Sequence, residues 1–136
     1  MQSSDKEYHT HTLPNQNFKL PILTKLYEFY QVLAQTINTF PKSFRYSIGL
    51  KLDNLTLEII ESILELPFSD NKLQILQKIS IKFDTLKILV RLSKDYRAIA
   101  DKKYFQLELI LSEIGKMLGG WIKSTNEKRV YNRNSG

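Results

Sequence analysis

From Leu20 onward the apolar residues of this chain recur every three or four positions, and prolines or charged turns interrupt the pattern three times. Leu23, Leu26, Tyr27, Tyr30, Leu33, Ala34 and Ile37 follow the spacing of one helix face. Pro21 suits a first helical turn, so a helix is predicted from Leu20 or Pro21 to about Thr39. Pro41 ends it and opens a second helix from about Lys42 to Leu66, where Pro67 stops the pattern. Asp70 or Asn71 is placed to cap a third, running to about Lys94, and Asp101 a fourth, running to about Thr125. Four helices with short connections predict an all-α fold, an antiparallel up-down-up-down four-helix bundle over residues 18–125. Residues 1–17 and 126–136 are polar and aperiodic, and are expected to be a disordered arm and a disordered basic tail.

Helices two and three carry more apolar surface than a bundle core needs. Phe44, Ile48, Leu52, Leu55, Ile59, Ile63 and Leu66 share one face of helix two, while Tyr46, Leu50, Leu57, Ile60 and Leu64 gather on the far side. On helix three, Ile75, Leu76, Ile79, Phe83, Leu86 and Val90 line one face, and Ile81, Ile88 and Leu92 the opposite one. A second stripe leaves apolar surface in water, and such surface marks an interface. Leu50, Leu57, Ile60, Leu64, Ile81, Ile88 and Leu92 are therefore predicted to mediate homo-oligomerisation. One wide core face with scattered surface aliphatics accounts for the same residues without an oligomer.

The predicted last helix contains Gly115, Gly119 and Gly120. Each costs a helix interior about 1 kcal/mol relative to alanine. Ser112, Gly115 and Gly119 share one face at spacings of three and four, which would let a neighbouring helix come close. Gly115, Gly119 and Trp121 are thus the predicted close-packing seam, with Trp121 and Ile122 supplying bulk where the gap ends.

Charge adds a direction to this scaffold. The 136 residues suit one domain and carry a net charge of +6. Between residues 72 and 103 nine basic groups face only Asp84, Asp95 and Asp101, whereas residues 42–71 are net acidic and the tail is again basic. Such concentration is the electrostatic footprint of a polyanion binder, although a solvated lysine-rich face has the same composition. Lys78 and Lys82 lie on one flank of helix three; Lys87, Arg91 and Lys94 lie on the other, with Arg97 in the loop beyond. Glu58, Glu61 and Glu65 on helix two can pair with some of these lysines, within a bundle or between subunits. The basic groups outnumber those acids, which leaves cations for phosphates.

Chemistry for catalysis is sparse. No cysteine is present, which excludes disulfides, thiolate metal sites and thiol nucleophiles. His9 and His11 form an H-x-H pair in the polar arm, but two ligands do not make a metal site. Glu58, Glu61 and Glu65 lack the E-x-x-H partners of a dimetal bundle, and Gly119-Gly120 is followed by Trp121, not by the Lys-Ser of a phosphate loop. Tyr46, Tyr96, Tyr104 and Trp121 have the chemistry to stack on bases, and also the spacing of core aromatics. No catalytic residue, metal or cofactor is read, so the chain is not expected to be an enzyme. The polar N-terminus and the lack of a run of about 18 apolar residues lead to the expectation of a soluble, cytoplasmic protein.

Two motifs carry a resemblance. Glu113-Ile-Gly-Lys-Met-Leu-Gly-Gly-Trp-Ile-Lys123 is similar to a last-helix pattern, E-[IV]-G-[RK]-x-L-G-x-W-I, of the four-helix-bundle family that includes the accessory variability (Avd) proteins of diversity-generating retroelements. Phe40-Pro-Lys-Ser-Phe-Arg-Tyr-Ser-Ile-Gly49 resembles that family's proline-plus-basic start of helix two. A related branch is encoded in intervening sequences of bacterial large-subunit rRNA genes. The resemblance spans residues 20–125. It implies a homopentameric ring of bundles that binds the retroelement reverse transcriptase and RNA or DNA, and supports error-prone copying of template RNA into cDNA. It places Lys42, Arg45, Lys116, Trp121 and Lys123 in that role by motif. A structural or protein-binding oligomer of the intervening-sequence type, with no nucleic-acid role, fits the same helices.

Overall fold

The computed structural model describes residues 20–135, which form four helical segments; no strand occurs among the described residues. Helix α1 is Pro21–Asn38. Segment α2 is continuous but composite: α-helical at Lys42–Phe44, a π turn at Arg45–Gly49, α-helical again at Leu50–Glu65, and a 3-10 turn at Leu66–Phe68. Helix α3 is Lys72–Asp95 and helix α4 is Asp101–Ser135. Pro21 does open α1 and Pro41 immediately precedes α2. The α-helical part of α2 ends at Glu65, just before Pro67 as the pattern predicts, and Pro67 sits in the first turn of the 3-10 segment that follows, where its missing N–H costs nothing. Of the two caps foreseen for α3, Asn71 is used: its side chain accepts from the Gln74 N–H at 3.3 Å, and its amide donates to Gln74 Oε1 at 2.9 Å.

Helix α1 packs on α2 and α4, α2 on α3, and α3 on α4, closing one apolar core. Leu26, Phe29 and Leu33 meet Leu52, Ile59 and Ile63, with Leu76, Ile79 and Leu86 and with Leu107 and Ile114, all buried. Burial of each such side chain stabilises the bundle by about 1.5–3 kcal/mol. On α1 the buried aromatic is Phe29, not Tyr27, which stays 41% exposed. Tyr30 lies at the core's edge and its hydroxyl donates to Asp53 Oδ1 at 2.7 Å, tying α1 to α2.

The tail differs from expectation. Residues 126–135, read from the sequence as disordered, continue α4 as helix. Neither proline nor glycine occurs between Trp121 and Ser135, and adding residues to a formed helix needs no new nucleus. The extension lacks a core face, so Val130 and Tyr131 remain exposed, and apolar periodicity carried no sign of it.

The turn from α3 to α4 has unusual backbone. Arg97 adopts φ 61°, the left-handed region. Its N–H donates to the Lys94 carbonyl at 2.9 Å and the Ala98 N–H donates to the Ser93 carbonyl at 2.8 Å. That pair of bonds is a Schellman C-cap, in which glycine normally fills the position Arg97 holds.

Candidate nucleic-acid interface

The periodicity of α3 decides where its cations go. Lys87, Arg91 and Lys94 are three and four residues apart and so form one row. The row follows the seam between α3 and α4. Lys94 Nζ stands 4.8 Å from the centroid of the Tyr104 ring on α4, and Lys87 Nζ stands 5.2 Å from that of Phe83. A shallow groove of about 430 Å³ opens at the seam, lined by Phe83, Lys87, Glu108, Ser112, Gly115 and Lys116, among others. It brings Lys116 opposite Lys87 across two helices. Cation–ring contacts of this kind fix a lysine stem while leaving the ammonium wet.

Gly115 shapes that groove. A Cβ there would meet Phe83 Cε2 at 3.3 Å, so the missing side chain lets the Phe83 ring lie against α4. The rest of the predicted seam is corrected: at Gly119 and Gly120 a Cβ would meet nothing within 4 Å, so neither glycine admits a neighbouring helix of this chain. Trp121 is half-buried against the core. Glycine spacing reports that an approach is permitted, and here only one of the permitted approaches is made within the bundle.

The remaining cations fall into different surroundings. Lys82 turns to α2 and pairs with Glu58 at 3.6 Å, as the acidic flank of α2 suggested; Lys78 lies four residues before it, exposed. Lys87 pairs with Asp84 and Arg91 with Asp95, each at 3.7 Å and each within α3. Exposed pairs contribute about 0–1 kcal/mol and open readily for a phosphate. Among the described residues Lys42, Lys78, Lys94, Arg97, Lys116 and Lys123 form no ion pair. Lys25, on α1, reaches Glu113 at 2.7 Å and Glu28 at 3.3 Å, and the hydrogen bond to Glu113, then that to Glu28, raises its pKa above the ordinary lysine value. Burial, then the nearby Glu108 carboxylate, pushes the Tyr104 phenol up, so the ring beneath Lys94 stays neutral.

Arg45 requires a structural reading. Its guanidinium is half-buried and one Nη donates to the carbonyls of Asn38 and Phe40, both at 3.3 Å. Those carbonyls belong to the end of α1 and the connection to α2, where a cation satisfies otherwise orphaned acceptors. Its Nε is buried without a partner. The motif residue therefore clamps a helix end, whereas Lys42 beside it is exposed. At the same end of the bundle Phe44 and Tyr96 bring their rings to 5.7 Å, next to Arg97.

The second apolar stripes lie where the pattern put them. Leu50, Leu57 and Leu64 on α2 and Ile81 and Ile88 on α3 are exposed, the two isoleucines at 67% each. Ile60 and Leu92 are half-buried, and Ile60 packs against the core, so they border the stripes instead of forming them. Phe105 and Leu109 on α4 are exposed as well, a contribution the sequence reading missed. Also missed were Lys128 and Arg129, which the helical extension holds beside Trp121 at the far end of the bundle.

No group of three His, Cys, Asp or Glu residues able to hold a metal occurs among the described residues, and His9 and His11 lie outside them. None of the described helices is long and apolar enough to cross a membrane. A search of curated proteins finds no match. A family model described as bAvd-like, in contrast, matches residues 20–125, from the start of α1 well into α4 and across both motifs. The chain belongs to the bAvd-like family.

Proposed function

We propose that this chain is a non-catalytic accessory subunit of a diversity-generating retroelement, binding the reverse transcriptase and the template RNA or cDNA during mutagenic copying. The observation that carries the reading is the row Lys87, Arg91 and Lys94 along the α3–α4 seam, with Lys116 across the groove, in a member of the bAvd-like family. Such a row neutralises backbone phosphates without reading sequence, as an accessory protein needs when template and product vary. In this reading the bundle runs up-down-up-down. The Phe44–Tyr96 and Arg45–Asn38 contacts, which join starts of helices to ends of their neighbours, support that order.

The chain acts as a homo-oligomeric ring, a pentamer by family resemblance. Its subunits meet through Leu50, Leu57, Leu64, Ile81 and Ile88, whose exposure would otherwise leave two apolar stripes in water. The ring sets the basic seams of successive subunits side by side and makes a multivalent surface from modest single contacts. RNA and DNA binding across a salt series tests the nucleic-acid half. The wild-type affinity should fall steeply with salt, and changing Lys87, Arg91 and Lys94 to Glu should abolish most of it. Salt-insensitive binding, or binding unchanged in the triple variant, refutes the interface. Co-purification with a diversity-generating retroelement reverse transcriptase co-expressed with the chain tests the other half, and its absence under conditions that keep the oligomer together refutes it.

A further inference from the structure

The end of the bundle away from the Phe44–Tyr96 contact holds a second basic feature, separate from the seam. A cleft of about 770 Å³ lies between the α2–α3 turn and the extension of α4. Asn71 and Lys72 from the start of α3 line one side; Trp121, Lys128, Arg129 and Asn132 from α4 line the other. Three cations thus face one acid, Asp70 at the same turn. Lys72 is held in place by its hydrogen bond to the Ser69 carbonyl at 3.0 Å. The positive end of the α3 dipole adds to the field, and the indole of Trp121 supplies a flat apolar wall. About 22 Å of α3 separates Lys72 from Lys87, so this is not the margin of the seam.

We infer that this cleft binds a nucleotide, with the phosphate held by Lys72, Lys128 and Arg129 and the base stacked on Trp121. The volume suits a nucleotide-sized ligand. The three cations line the cleft from two helices, and arginine is fitted to phosphate by its planar fork. A base stacks on tryptophan whatever its identity, and the amides of Asn71 and Asn132 supply donors and acceptors for sugar or base edges. The inference takes its class of ligand from the nucleic-acid reading and its place from the cleft. The ligand is either a free nucleotide or the nucleotide at the end of a strand.

Trp121 is the chain's single tryptophan, so fluorescence on tryptophan excitation comes from one residue in the wall of this cleft. The full chain is titrated with adenosine monophosphate, with inorganic phosphate as competitor, and with a short single-stranded RNA carrying a 5′-phosphate. Saturable quenching by the mononucleotide, weakened about tenfold or more by K72E/R129E and reversed by phosphate, supports a free-nucleotide site. Quenching by the RNA alone, with the same sensitivity to K72E/R129E, supports a strand-end site. Circular dichroism of the double variant checks that its helices are kept. Fluorescence unmoved by both ligands overturns the inference, as does quenching that K72E/R129E leaves unchanged, or a response to an acidic peptide in place of both. RNA retained on a filter while Trp121 stays silent overturns the cleft and leaves the seam standing. RNA binding that the seam variants leave unchanged, while mononucleotide quenching persists, does the reverse.

Discussion

Replacing Arg97 by glycine should make the protein more stable and a poorer binder. Arg97 sits at φ 61° with both Schellman hydrogen bonds formed, so its backbone is fixed where a Cβ is unfavourable. A left-handed non-glycine residue costs about 1–2 kcal/mol, part of which glycine gives back through its more flexible unfolded chain. The expected net gain is about 1 kcal/mol, or roughly 3–5 °C in Tm for a domain of this size. Arg97 is exposed and forms no ion pair among the described residues, so no lost ion pair there offsets that gain. Arg97→Ala is the control: it removes the same charge but keeps a Cβ in the left-handed region, and should leave Tm near the wild-type value. Both variants should lower the salt dependence of RNA binding equally, by about one phosphate contact. Thermal unfolding followed by circular dichroism and filter binding at several salt concentrations measure the two effects. If glycine and alanine shift Tm alike, backbone strain at residue 97 is not the cause. If RNA binding is unmoved in both, this cation is no part of the interface.

The other glycines separate a filled position from an open one. Gly49→Ala should destabilise by about 1–2 kcal/mol in urea unfolding, because its Cβ would stand 3.1 Å from the Ile37 methyl Cγ2 and 3.2 Å from the Phe44 carbonyl, neither able to swing away. Gly119→Ala should instead stabilise by about 1 kcal/mol, since nothing lies within 4 Å; destabilisation there would mean that another copy of the chain occupies the space. Tyr30→Phe should cost about 1 kcal/mol at neutral pH by removing the bond to Asp53. That hydrogen bond raises the Tyr30 phenol, so its contribution is complete below the ordinary value near 10 and is lost as pH rises through the higher folded value. The gap between wild type and Tyr30→Phe should therefore close at strongly alkaline pH, and a gap that widens there refutes the assignment. Ile88→Asp places a charge on the exposed stripe of α3 and should give monomers by sedimentation with the helices kept; an undisturbed oligomer refutes the stripe as an interface.

Local signals made the fold legible. Pro21, Pro41 and Asn71 mark helix starts through backbone chemistry that acts within a few residues, whereas Asp101, expected as a cap, is the first residue of α4 itself and Ala100 holds the cap position. The core of α2 and α3 followed because aliphatic residues recur there with one period. On α1 the same period admitted Tyr27 as well as Phe29, and a tyrosine with its hydroxyl in water satisfies the pattern without being buried. The helical extension was illegible because periodicity reports core packing, and the side chains of Asn126 to Asn134 stay exposed with no face in the core; helix propagation carries them. Charge counting located the basic helix but could not separate Arg45, which clamps carbonyls, from Lys42, which faces solvent. Nor could it place Lys128 and Arg129 beside Trp121, since that juxtaposition depends on the extension being a helix.

The π turn at Arg45–Gly49 gives α2 an adjustable phase. A π turn holds one residue more than the α-helix around it. Removing a single residue there lets the backbone ladder close in the ordinary way and leaves Leu50–Glu65 facing as before. The same deletion inside Leu50–Glu65 rotates everything after it by about 100°, turning core positions toward water and the outer leucines toward the core. Which leucines of α2 face outward is thus fixed by the count of residues in a segment that contains none of them. A one-residue change of length at residues 45–49 is the indel this helix can absorb.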